Sequence, residues 1–183
     1  MPTLAHVMLL LLSMNNAQMN SSVTFSGGRS FNLGRLSPDG GDQTTLGLSY
    51  GYRFRPHVQL DAGVLFMRPV SGEGPSKYGP TQINDSFVWT TFGTSLILPV
   101  PAKRLELSLG AGGLIAHYSG GTFYGYSLAP YTSFGGYVTA RASVALDHKR
   151  HFWIGVSPRI FLSNGTYTRD RWTILTGDLS FHF

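Results

Sequence analysis

From Asp42 onward, apolar and polar residues alternate in stretches of about ten to fourteen residues, the period of a β-strand with two unlike faces. The clearest stretch is Val58 to Val70. There Val58, Leu60, Ala62, Val64 and Phe66 share one face while Gln59, Asp61, Gly63 and Leu65 share the other. Leu105 to Tyr118 repeats the design, with Leu105, Leu107, Leu109, Ala111 and Ile115 opposed to Glu106, Ser108, Gly110 and Gly112. The same reading predicts strands over Gln43–Phe54, Phe87–Leu98, Phe134–Leu146, Phe152–Leu162 and Trp172–Phe183, and a weaker one over Ser22–Phe31, eight in all. Gly27 and Gly28 predict a bulge in the first strand, because Arg29 otherwise shares a face with Phe25 and Phe31.

The connections alternate in length. Arg55–His57, Pro99–Arg104 and Asp147–His151 are short, Leu33–Gly41, Ser71–Asn84 and Ser119–Ser133 are long, and Ser163–Arg171 is intermediate. Transmembrane barrels have short turns on the periplasmic side and long loops outside. A membrane sheet must also close, since each unpaired edge group would cost several kcal/mol in lipid. The expected fold is therefore all-β, a closed antiparallel up-and-down transmembrane β-barrel of about eight strands. Its Leu, Val and Phe face should meet lipid and its Gly, Ser, Thr and charged face should line the lumen. Charges in that lumen should be paired, with Arg141, Arg159 and Asp178 at similar heights on the last three strands and Asp61 close to Arg53 across another hairpin.

Composition agrees with this pattern. Only 13% of the 183 residues are charged, about half of the usual ~25% for soluble domains, and 23 glycines are present. Cysteine is absent, which removes disulfide and thiolate chemistry. The apolar run Leu4–Met14, followed by polar residues near Ala17 and Gln18, predicts a secretory signal over residues 1–20 without the usual positive start, His6 being its one cationic candidate. A start codon lying further upstream would explain that gap, and a short buried helix or a first strand is the competing reading. The remainder, 21–183, is expected to be one barrel domain.

The chain ends Leu179, Ser180, Phe181, His182, Phe183, with apolar residues at alternate positions and a terminal phenylalanine. With the alternating loops and the predicted signal, this ending resembles the small eight-stranded bacterial outer-membrane β-barrel superfamily over nearly all of the predicted mature length. The resemblance implies that Phe181 and Phe183 face lipid and belong to a C-terminal signal read by the barrel-assembly machinery during insertion. It also implies an outer-membrane monomer in contact with lipid and lipopolysaccharide, non-enzymatic, with a structural or surface-loop role. An interior of eight strands is just wide enough to be filled by its own side chains, which disfavours a wide pore.

Two alternative readings rest on particular residues. Phe161, Leu162, Ser163, Asn164, Gly165 resembles the His-x-Ser-Asn stretch of lipid A deacylases, which would make the protein an envelope lipid-modifying enzyme. Phe161 stands where the general base would be, so a turn leading into a loop is the expected role of Ser163–Gly165. A soluble lipocalin-like carrier of a small apolar ligand would need a charged exterior, which the strands lack. His117, His148 and His151 show no spacing to a carboxylate that builds a triad or a metal cage; catalytic, cofactor-binding and metal residues are therefore expected to be none. The pI near 9.7 reflects cations scattered over turns and strands, so nucleic acid is not an expected partner. Lys103–Arg104 and His148–His151 form two basic turns, suited to anionic lipid heads or peptidoglycan, with ordinary solvated turns as the bland reading. Phe123, Tyr124, Tyr126 and Tyr131 are candidate loop contacts, and Trp89, Trp153 and Trp172, near strand ends, are expected in the interfacial aromatic girdle.

Overall fold

The computed structural model describes residues 20–32, 43–69, 75–76, 79–80, 86–123, 126–164 and 169–183. The predicted signal therefore lies outside the described residues apart from its last residue, Asn20. The elements in chain order are β1 Ser21–Asn32, β2 Gln43–Arg55, β3 Val58–Pro69, β4 Pro75–Ser76, β5 Gly79–Pro80 and β6 Phe87–Leu98. They are followed by β7 Leu105–Tyr118, β8 Gly121–Phe123, β9 Tyr126–Leu128, β10 Tyr131–Ala145, β11 Phe152–Asn164 and β12 Arg169–His182. Eight of them form one closed antiparallel barrel in the order β1-β12-β11-β10-β7-β6-β3-β2, while β4 with β5 and β8 with β9 make short ladders in two of the long connections.

Each barrel strand pairs with its sequence neighbour, and the seam between first and last strands closes the cylinder, running from Ser22 opposite His182 to Asn32 opposite Trp172. Ser21 and Phe183 extend it by exchanging two backbone hydrogen bonds of 3.0 and 2.9 Å. Closure leaves no unpaired strand edge, which lipid demands. Both described chain ends and the short turns lie at one rim; the long connections lie at the other.

Exposure alternates along the strands as the pleat requires. Phe25, Leu46, Leu48, Leu60, Phe66 and Leu109 point outward and are exposed, as are Val138, Ile154, Leu162 and Leu179 on the other strands. Ser, Thr and charged residues alternate with them on the inside. So large an apolar exterior is the reverse of a water-soluble carrier.

Three expectations need correction. The first strand has no bulge at Gly27 and Gly28, because its register against β2 and β12 runs without interruption. Arg29 does face outward with Phe25 and Phe31, near the loop rim, where a long side chain can carry its charge toward the polar interface. Gly28 answers a packing need instead: a Cβ there would sit 1.9 Å from the Leu175 carbonyl oxygen. The register shift that does occur is in β2, between Arg53 and Arg55 beside the two-residue turn. Second, β10 begins at Tyr131 and not at Phe134, so the preceding loop is shorter than predicted. Third, Ser163 and Asn164 extend β11 and are not part of a turn.

Candidate functional site: a sealed lumen

The lumen has three tiers. At the turn rim, Trp153 stacks on His182 with ring centroids 5.3 Å apart, and its indole N–H donates to the Arg150 carbonyl at 2.7 Å.

The middle tier holds the charges. Asp178, completely covered, accepts hydrogen bonds from Ser157 and, at 3.0 Å, from Thr176, and the Arg141 guanidinium lies 3.6 Å away. Arg141 also donates to Ser180, which shares a 2.8 Å hydrogen bond with Thr24. Arg159 reaches Ser26 at 3.4 Å. Asp61 accepts from Gln59 at 2.7 Å and from Ser95 at 2.5 Å. Arg53 does not meet Asp61; it pairs with Glu106 at 2.6 Å. Within this middle tier Arg53, Arg141 and Arg159 therefore stand against Asp61, Glu106 and Asp178 in equal number. Balance matters, because a lone ion taken out of water costs several kcal/mol. Glu106 was missed by the sequence reading although its parity on β7 placed it on the inner face. A polar cavity of about 70 Å³ lies among Ser49, Asp61, Tyr137, Arg141, Arg159 and Asp178.

The tier at the loop rim is built mainly of large apolar side chains, with buried Ser30, Gln43 and Thr45 on the β1–β2 side. Met67, Trp89, Phe161 and Ile174 are fully buried, with Leu114 and Trp172 nearly so. Trp89 contacts Phe161 at 5.0 Å and Trp172 at 6.4 Å, and Phe87 contacts Trp172 at 5.6 Å, spacings at which aromatic rings attract. These side chains fill the bore.

The tryptophans correct the expectation of a girdle: all three point into the lumen. Tyr131 is the first residue of β10, with its ring 5.0 Å from Tyr118, so it belongs to the barrel wall and not to a loop. Phe123 and Tyr126 are register partners at the end of the β8–β9 ladder; Tyr124 lies outside the described residues. Ser163 is buried, and its Oγ has no hydrogen-bond partner. Phe161, two residues before it, packs on Trp89 and Tyr137. His117 faces outward, 3.0 Å from Thr132, and among the described residues no nucleophile–base pair forms at Ser163. No group of three potential metal ligands occurs among the described residues. Phe181 packs on Phe152 at 5.1 Å and on Phe183 at 5.9 Å, on the outward face.

No protein-family model matches the chain, and no curated protein matches it. Solved structures do. Neisserial surface protein A aligns with a TM-score of 0.72 at 12% identity, over 89% of this chain and 97% of that one. The N-terminal β-barrel domain of Pseudomonas aeruginosa OprF aligns with a TM-score of 0.61 at 12% identity, over 88% and 97%. The attachment invasion locus protein Ail of Yersinia pestis aligns with a TM-score of 0.54 at 17% identity, over 88% and 98%. The chain has the fold of the small eight-stranded outer-membrane β-barrels.

Proposed function

We propose that this protein is a non-enzymatic β-barrel of the bacterial outer membrane, acting through its outer loops and its contribution to the envelope and not as a pore. The observation that carries this reading is the apolar tier of Met67, Trp89, Phe161 and Ile174, which fills the bore beneath the loops. With a hydrogen-bonded network of equal opposite charges below and an apolar exterior around it, the barrel is a closed post in lipid. Lipid and lipopolysaccharide would surround it as a monomer. The charged network of Arg53, Asp61, Arg141, Arg159 and Asp178 would serve stability, and Phe181 and Phe183 would serve recognition by the assembly machinery. Phe123 and Tyr126, register partners on the β8–β9 ladder, would with Tyr124 offer aromatic contacts to an external surface.

Two measurements test this. Purified barrel in a planar lipid bilayer should give no steady conductance steps; regular open-channel steps would refute the closed post. Cells carrying the Phe123→Ser, Tyr124→Ser, Tyr126→Ser variant should display a normal barrel yet adhere less to an epithelial monolayer. Equal adhesion would remove the contact role.

A further inference from the structure

Two turns at the rim opposite the long loops build one surface. The turn before β7 and the turn after β10 are brought together because those strands are neighbours, with Leu105 opposite Val144 and the Ala145 N–H donating to the Arg104 carbonyl at 2.9 Å. Their side chains join as well: the Arg104 guanidinium lies 2.8 Å from His148 Nδ1. A guanidinium only donates, so the ring nitrogen accepts. Lys103, Arg104, Lys149 and Arg150 are all exposed there, and the anion Asp147 is held in its own turn by the Phe152 N–H at 2.9 Å.

Arg150 is the exceptional residue of this surface. Its φ is 60°, and it is the one described non-glycine residue with positive φ, a conformation that glycine adopts without cost and a long side chain does not. The strain is held by the Arg150 N–H on the Asp147 carbonyl at 3.2 Å and by Trp153 on the Arg150 carbonyl. Strained residues concentrate where a side chain is used. The surface borders the apolar belt directly, since Leu146 and Phe152, which flank the turn, are exposed. Cations immediately beyond an apolar belt stand at the depth of lipid headgroups.

We propose that Lys103, Arg104, Lys149 and Arg150 form a docking site for the headgroup of an anionic phospholipid in the periplasmic leaflet. The proposal rests on the membrane-barrel reading above. Lipid is the occupant because the charges adjoin Leu146 and Phe152, so one molecule can place its phosphate on the cations and its acyl chains on the exposed apolar residues.

The test uses the folded full-length barrel in zwitterionic detergent micelles, titrated separately with short-chain phosphatidylglycerol and phosphatidylcholine while the amide resonances of residues 103–105 and 146–152 are followed. Phosphatidylglycerol should bind more tightly, with roughly fivefold lost per cation removed at low salt. Arg150→Gly discriminates, since it suits the positive φ while removing the cationic side chain: it should fold as well as the parent yet bind more weakly. Arg104→Gln and Lys149→Gln should act in the same direction. Equal affinity for the two lipids in a folded, micelle-bound barrel overturns the docking site alone. Soluble peptidoglycan fragments shifting these amides while phosphatidylglycerol does not would overturn it in favour of a cell-wall contact. A barrel that stays dissolved without detergent overturns the membrane reading as well.

Discussion

Arg53 and Glu106 meet across the lumen at 2.6 Å although they sit on β2 and β7, three strands apart around the wall. The pair fastens opposite sides of the cylinder, which neighbouring-strand hydrogen bonds cannot do. The side chains are 24% and 13% exposed, so the interaction is screened less than a surface pair and more than a dry one. Glu106→Gln should destabilise the barrel by about 2 kcal/mol, below the ~3–5 kcal/mol for breaking a fully buried pair. The combined Arg53→Met, Glu106→Leu variant should recover most of that loss, because neither charge is then stranded. Urea unfolding in lipid vesicles reads both; additive losses would show that the pair is not coupled.

Leu109 is 52% exposed on the outer face of β7, beside Leu96 and Ala140 on the flanking strands. If that position lies at mid-bilayer, Leu109→Arg should cost about 2 to 4 kcal/mol. The same unfolding assay decides, and a silent substitution would contradict the facing.

Phe183 closes the seam through its backbone bonds to Ser21 and stacks on Phe181. Its removal should lower the amount of barrel inserted in cells several-fold while refolding in detergent stays efficient. Loss of both together would assign the residue to stability and not to assembly.

Asp147 lies in the turn between β10 and β11, outside the lipid. Slight burial pushes its carboxyl up, but hydrogen bonds from the Phe152 and His151 backbone and the nearby His151 ring outweigh it and hold it below the usual aspartate value. A depressed folded value contributes stability above the unfolded value that is lost as pH falls through the folded one. Asp147→Asn should therefore flatten the acid limb of the unfolding profile and leave neutral pH less stable. A carboxylate titrating by NMR at or above the ordinary aspartate position would contradict this.

Alternation determined the eight strands and, away from the loop rim, their facing, while the alternating lengths of the connections determined the loop and turn rims. Val58–Phe66 and Leu105–Ile115 were legible because one face meets lipid and the other a polar lumen, so period two is written in the residues. Near the loop rim that contrast disappears. On β6, Phe87 and Trp89 point inward while Val88 and Phe92 point outward, both faces are apolar, and parity no longer tells lumen from lipid; Trp89 and Trp172 were misplaced for this reason. The charge partners were likewise undecided. A strand's sequence shows which charges point inward, but closure and the stagger between strands decide which meet across the bore. Thus Arg53 finds Glu106 and not Asp61, its neighbour across the hairpin, and Arg104 meets His148 only because β7 and β10 lie side by side.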